Sequence, residues 1–172
     1  MTTAEKLQLV SATISACGLT VAAISAFFAV RSLRSTHDWN RRKAAQDATL
    51  LFNSRVIGRD LLERELGYLS SQEPIPLDAL NEKFKNEPNL KAAVHSLLNY
   101  FEMLARGVNQ NIYDEVVVRT AWKGAMQRAI ERFGPYIRSR KGYSSNAWKE
   151  LQGLAAQWTS QDLHSGRRAP TG

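Results

Sequence analysis

The 172-residue sequence is poor in the residue types that build metal sites, disulfides and flexible linkers. Its single cysteine, Cys17, excludes an intramolecular disulfide and any zinc site made of several cysteines. The three histidines are widely spaced, which argues against a histidine-based metal site. Ten glycines and five prolines are too few for a fibrous or linker-rich protein. The length and an apolar fraction of 44% favour one globular domain with a short appendage.

Motifs of catalysis and of phosphate binding are also missing. There is no Gly-x-Ser-x-Gly nucleophile motif, no glycine-rich phosphate loop and no His-x-x-x-His pair. Asp114 and Glu115 are adjacent in sequence, so on a helix they point to different parts of the surface and cannot face each other as an acid and a base. We therefore predict that the protein is not an enzyme and has no catalytic residue, cofactor or metal ion.

Charge is missing from one long segment near the N-terminus. Leu7 to Val30 is an uncharged run of 24 residues. As an α-helix it would be about 36 Å long, enough to cross a hydrocarbon core about 30 Å thick. A buried helix and a cleaved signal peptide are the alternatives, but the run has no charged face and exceeds the apolar region of a signal peptide. The absence of charge predicts an N-terminal transmembrane helix.

Basic residues are concentrated directly after this run. They are Arg31, Arg34, Arg41, Arg42 and Lys43, with Asp38 as the only acid among them. Because positive flanks stay in the cytoplasm, the sequence predicts a single-pass protein of a bacterial inner membrane, with its N-terminus outside and its C-terminal domain cytoplasmic. The lipid bilayer is then one predicted partner, with these basic residues near its headgroups.

Small residues line one side of the predicted span. Ser15, Gly18, Ala22 and Ala26 lie near one helix face. Such small-x-x-x-small spacing lets two helices approach closely, so we predict a possible homo-oligomer through this face. An alanine-rich segment also contains such spacings by chance, and both interpretations stay open.

The remaining sequence predicts an all-α fold, because no run of β-branched residues alternates with period two. A helical pattern runs from Trp39 to Ser71, with Gly58 and Gly67 as weak points. Further helices are predicted from Leu77, from Pro88 to a glycine cap at Gly107, from Tyr113 to a stop at Gly134-Pro135, and from Trp148 to Trp158. The predicted domains are 1–34, the transmembrane anchor and flank; 35–160, a cytoplasmic bundle of about five helices; and 161–172, a disordered basic tail.

Charge is distributed unevenly along the chain. The net charge is +4 for residues 31–43, −3 for 44–104 and +6 for 105–172. The basic C-terminal third could contact lipid, an acidic protein or nucleic acid. Nucleic acid is the least favoured of these partners, because no nucleic-acid-binding motif accompanies the charge.

The central segment resembles a known family. Leu97 to Val108, then Ile112 to Glu115, and the later stretch from Glu131 to Ile137 are similar to a bacterial domain of unknown function 4760 family. The resemblance spans about Trp39 to Trp158 and implies no catalytic or ligand residue. It implies a helix–turn–helix junction, whose organising residues would be Asn99, Tyr100, Glu102, Gly107, Asp114 and Glu115.

The sequence thus predicts a membrane-anchored, non-catalytic helical protein that binds an unknown protein partner or itself. The alternative is a membrane effector associated with a prophage or with anti-phage defence. No residue decides between the two.

Overall fold

A computed structural model describes residues 3–140 and 147–166, except the side chains of residues 4–17, 19, 20, 53, 165 and 166. In these ranges the regular secondary structure is entirely helical, which confirms the all-α prediction. The helices are α1 (Thr3–Leu50), α2 (Phe52–Arg55), α3 (Arg59–Leu66), α4 (Leu77–Asn86), α5 (Pro88–Asn109), α6 (Glu115–Arg140) and α7 (Lys149–Gly166). The chain divides into two compact units, Met1–Asn40 and Arg41–Gly172, and the division falls inside α1.

The first unit is the N-terminal part of α1. The helix continues without interruption through Ser35, the first residue of the predicted cytoplasmic domain. Every residue from 21 to 40 is exposed. Several of these exposed residues carry large apolar side chains: Val21, Ile24, Phe27, Phe28, Val30, Leu33 and Trp39.

The predicted transmembrane helix is wrong. Within the described part of the chain, no helix combines the length and the apolarity needed to cross a bilayer. The reason is that an uncharged segment is not necessarily an apolar one. Leu7 to Val30 contains Gln8 and five serine or threonine residues, and six of its other positions are alanine, which contributes little apolar surface. The predicted inner-membrane topology depended on this helix, and the location itself stays a prediction.

The second unit is organised around α5. This helix packs against α2, α3, α4, α6 and α7. Its predicted apolar stripe is buried: Leu90, Val94, Leu97, Phe101 and Leu104. These residues recur at steps of three and four, which places them along one side of a helix with 3.6 residues per turn. The neighbouring helices α3, α4, α6 and α7 also contribute buried residues. Together with the α5 stripe, these residues form one hydrophobic core, so α5 is the central element.

The predicted long helix from Trp39 to Ser71 is divided into three. α1 ends at Leu50, and α3 starts after Gly58 and ends before Gly67. Both glycines have left-handed backbone, with φ of +73° and +56°. At Gly58 the chain also passes so close to Ala93 that a Cβ atom would lie 2.8 Å from the Ala93 Cβ. Gly58 therefore precedes α3 and Gly67 ends it, because the chain turns at these two positions.

Two other predicted helix ends are also wrong. Gly107 lies inside α5, which continues to Asn109. α6 continues through Pro135 to Arg140. Proline removes one backbone hydrogen bond from a helix, but Phe133, Tyr136 and Ile137 on either side of it are buried. Burial of these apolar side chains offsets the lost bond.

Arg132 fixes the connection between α3 and α4. Its side chain is only 4% exposed. Nη1 donates to the Glu73 carbonyl at 3.0 Å, and Nη2 donates to the Leu66 carbonyl. The backbone N–H of Ile75 donates to the Arg132 carbonyl at 2.9 Å. Burial lowers the pKa of Arg132, and the carbonyl oxygens compensate part of the cost of burying its charge. A charged side chain thus orders a loop with no regular structure.

Candidate functional site

The junction between α5 and α6 is built on close contact between Gly107 and Tyr113. The Gly107 carbonyl accepts hydrogen bonds from the N–H groups of Ile112, at 2.8 Å, and Tyr113, at 3.0 Å. The Tyr113 ring lies directly over the glycine, where a Cβ atom would overlap it. Asn111 adopts the left-handed conformation in this turn, with φ of +60°. Gly107 is therefore required for its small size and not for its backbone angle.

Asp114 joins the turn to α1 and begins α6. Its Oδ1 accepts a hydrogen bond from the N–H of Val117 at 3.2 Å, as in an N-cap. Its own N–H donates to the carbonyl of Arg41 at 3.3 Å. Arg42 Nε lies 3.4 Å from the Asp114 carboxylate, and Arg41 Nη2 donates to the Tyr113 carbonyl at 3.2 Å. Two of the predicted membrane-flanking arginines thus bind the junction.

Asn99 and Glu102 hold the start of α7. Trp148 Nε1 donates to Asn99 Oδ1 at 2.9 Å. The Glu102 carboxylate accepts hydrogen bonds from the N–H groups of Glu150, at 3.4 Å, and Leu151, at 2.9 Å. Free N–H groups at a helix start need such acceptors. Arg106, one helical turn further along α5, lies 3.7 Å from the same carboxylate.

The other two junction residues bind further elements. The Tyr100 hydroxyl donates to the Ala48 carbonyl in α1 at 2.8 Å, in a buried position. Glu115 Oε1 accepts a hydrogen bond from Trp158 Nε1 of α7 at 2.8 Å. Hydrogen bonds of the predicted junction residues thus reach three helices, α1, α6 and α7. These hydrogen bonds position the helices relative to one another.

An aromatic cavity lies beside this junction. Phe52 lies 4.4 Å from Trp122 and 5.1 Å from Tyr100 between ring centroids, and Phe101 completes the cluster. These rings, except that of Tyr100, line a cavity of about 340 Å³. Polar groups at its edge are already paired, since Trp122 Nε1 donates to the Thr49 hydroxyl at 3.1 Å. Most of the lining is apolar, and the one charged side chain that the structure describes in it is Arg59, whose guanidinium lies 5.9 Å from the centre of the Phe52 ring.

A family model for the domain of unknown function 4760 matches residues 19–158. The chain belongs to the domain of unknown function 4760 family. No curated protein matches the chain, and no solved structure matches it either. The family match includes all six junction residues. The segment whose resemblance predicted the family therefore also holds α5, α6 and α7 together. The description of the family names no activity.

The other predicted site residues of this family member lie on α1. Arg31 and Arg34 are exposed in the first unit, whereas Arg41, Arg42 and Lys43 belong to the second. Of the predicted small-residue face, Gly18, Ala22 and Ala26 are exposed. The side chain of Ser15 lies outside the described residues. A Cβ atom added at Gly18 would meet nothing within 4 Å. The family match starts at residue 19 and so includes most of the exposed apolar part of α1.

Proposed function

We propose that this member of the family is a non-catalytic helical protein that acts by associating with a second copy of itself through α1. The observation that carries the proposal is the exposure of large apolar side chains in the first unit, including Phe27 at 63% and Phe28 at 62%. Contiguous apolar surface of this kind on a folded chain marks interaction sites. Covering it removes apolar area from water, which is the main driving force of protein association.

The sequence of α1 supports pairing between helices. An apolar stripe runs along α1 at alternating steps of three and four residues. Its members are Leu7, Val10, Ile14, Cys17, Val21, Ile24 and Phe28. This is the spacing of the a and d positions of a coiled coil, sustained over three heptads. Val21 and Ile24, two of its described members, are 64% and 52% exposed. A helix with this stripe has a seam that fits another helix.

A second copy is the partner that fits best. The stripe contains no charged residue, so two identical stripes can pair without repulsion between like charges. An identical helix also presents the same heptad spacing in register. Gly18, Ala22 and Ala26, the predicted small-residue face, lie roughly a third of a turn away around the helix axis. The two surfaces can therefore be tested separately.

The test is the molar mass of the full-length chain in solution, measured by sedimentation velocity. We expect wild type to be a dimer or larger, and Ile24→Lys to shift it toward monomer because a charge would be buried in the seam. Val116→Lys is the matched control: Val116 is also a large apolar residue, 73% exposed, but it lies on α6. The control should associate as wild type does.

Gly18→Ile separates the two faces of α1. It adds bulk where the monomer has space, so it should disturb association only if the small-residue face forms the contact. Loss of association in Gly18→Ile with retention in Ile24→Lys would move the contact to that face. A monomeric wild-type protein, or equal loss in Val116→Lys, would contradict the proposal.

The proposal does not depend on a membrane. Three statements stay predictions: the inner-membrane location, contact with the lipid bilayer, and the alternative of a prophage or anti-phage defence effector. The same holds for an unknown protein partner and for the prediction that the protein is not an enzyme.

A further inference from the structure

A groove between α4, α5 and α6 differs in character from the rest of the second unit. Its volume is about 560 Å³. α4 contributes Asn81, Phe84 and Lys85, α5 contributes Lys91, and α6 contributes Tyr136 and Arg140. Grooves of about 300 to 1,000 Å³ are the usual size for small-molecule sites. The volume alone does not identify the ligand, but the charges of these side chains indicate its chemical class.

Among the residues that the structure describes, the groove is lined by three cationic side chains and by no acidic one. Within the described ranges, none of Lys85, Lys91 and Arg140 forms an ion pair with a carboxylate. The Arg140 guanidinium lies 5.5 Å from the centre of the Tyr136 ring, which holds it at the groove wall. Cations gathered on one concave surface repel each other. A bound anion would relieve this repulsion.

The positive charges of the groove also affect a neighbouring titratable side chain. His95 lies behind Tyr136, and its Nε2 is 2.6 Å from the Tyr136 hydroxyl. Burial is the main cause that lowers the pKa of His95, and the charges of Arg140 and Lys91 lower it further. Both cations therefore act on the same region from different helices. Their charges converge although the residues are 49 positions apart in sequence.

The groove also offers an aromatic surface. Phe84 is half-buried and meets Tyr136 edge to face, with ring centroids 5.5 Å apart. The Tyr136 hydroxyl is fixed by His95, so this wall is held in one orientation. Asn81 adds a side-chain amide, which can both donate and accept a hydrogen bond. A fitting ligand thus combines an anionic group with an apolar or aromatic portion.

We propose that this groove binds a small organic phosphate. The phosphate lies among Lys85, Lys91 and Arg140, and the organic portion lies against Phe84. Phosphate fits these side chains because it accepts charge-assisted hydrogen bonds from several donors at once. The proposal is separate from self-association, since the groove belongs to the second unit and the heptad stripe to the first.

The first experiment compares three probes by titration calorimetry on the full-length protein: adenosine monophosphate, adenosine and inorganic phosphate. We expect adenosine monophosphate to bind, and each of the other two to bind at least about tenfold more weakly, because each supplies only half of the contacts. Binding should weaken as salt is raised from 50 to 300 mM, as screening requires. No binding of adenosine monophosphate at millimolar concentration would overturn the proposal, as would equal binding of inorganic phosphate.

The second experiment places the ligand. Lys85→Gln, Lys91→Gln and Arg140→Gln should each weaken binding of adenosine monophosphate by about tenfold, the effect of losing one charge-assisted contact. Arg106→Gln is the matched control, because it makes the same charge change at the other end of α5, about 22 Å from Lys91 along the helix axis. Melting curves followed by circular dichroism should confirm that all four variants are folded. Equal loss in Arg106→Gln, or unchanged binding in all three groove variants, would refute the assignment.

Discussion

Glu102 caps a helix that starts almost fifty residues further along the chain. Its two carboxylate oxygens accept hydrogen bonds from consecutive N–H groups at the start of α7. A negative charge at this position also interacts favourably with the positive end of the helix dipole. Arg106 lies 3.7 Å away but is 60% exposed, so solvent weakens that ion pair. Glu102 therefore stabilises the fold mainly by capping α7.

We expect Glu102→Gln to lower the free energy of unfolding by about 1–2 kcal/mol, since the amide accepts through one oxygen only and carries no charge. Arg106→Gln removes the exposed partner and should lower it by less than about 0.5 kcal/mol. Urea unfolding followed by circular dichroism measures both. If the two variants lost the same stability, the ion pair and not the cap would be the relevant contact.

Gly107 and Tyr113 determine how α5 connects to α6. The last turns of α5 and the five residues after it form a compact connection in which the tyrosine ring covers the glycine. Any side chain at position 107 would push the ring, and with it the start of α6, away from α5. This close approach explains why a glycine is tolerated inside a helix, where it ordinarily costs stability.

Replacing Gly107 with alanine tests this explanation. We expect Gly107→Ala to lower the free energy of unfolding by about 1–3 kcal/mol, the usual cost of overpacking. Gly124→Ala is the control, because Gly124 lies inside α6 and an added Cβ atom meets nothing within 4 Å. That variant should gain about 0.5–1 kcal/mol from the better helix propensity of alanine. Thermal unfolding separates the two signs, and a gain in Gly107→Ala would contradict the contact.

Helix periodicity was the part of the fold that could be predicted from the sequence. The stripe from Leu90 to Leu104 identified α5 and its buried side, because apolar spacing is a local property. The effects of Gly58, Gly67 and Pro135 on the helix boundaries were less predictable. Whether a glycine ends a helix, or a proline is tolerated in one, depends on packing against residues that are distant in sequence, such as Ala93 at Gly58.

The junction residues were identified by family resemblance, and their partners were not. Glu102, Asn99 and Glu115 each bind a residue of α7 or its start that is more than 40 positions away. No spacing rule connects such pairs. The basic groove was missed for the same reason, because Lys91 and Arg140 come together only when α5 packs against α6.

At the level of the whole chain, the average composition hides a first unit that is uncharged over 24 residues but not strongly apolar. The predicted membrane span treated the absence of charge as apolarity. Residues 21–40 instead form an exposed helix with large apolar side chains. The formal net charge of +7 is likewise distributed unevenly, and Arg140 of the basic C-terminal third lines a groove on the second unit.

The stability of the second unit should depend on pH through His95. This residue contacts Tyr136 of α6, and its ring centroid lies 5.6 Å from that of Trp148, just before α7. Burial is the main cause that lowers the pKa of His95 below the ordinary 6.5, and the charges of Arg140 and Lys91 lower it further. Around and below that pH the unfolded chain therefore binds a proton more readily than the folded chain does. Stability must then fall as the pH is lowered from 7 to 5.5.

His95→Gln identifies the source of that loss. Glutamine can still bond to the Tyr136 hydroxyl but does not titrate, so its free energy of unfolding should change less than that of wild type between pH 7 and 5.5. The lowered pKa values of Glu63 and Asp162 also reduce stability in acid, but only at lower pH, because their ordinary values are 4.5 and 3.8. Urea unfolding at half-unit pH steps distinguishes these ranges. Parallel curves for wild type and His95→Gln above pH 5.5 would show that His95 is not the titrating group, and a wild type that became more stable on acidification would contradict the sign of its pKa shift.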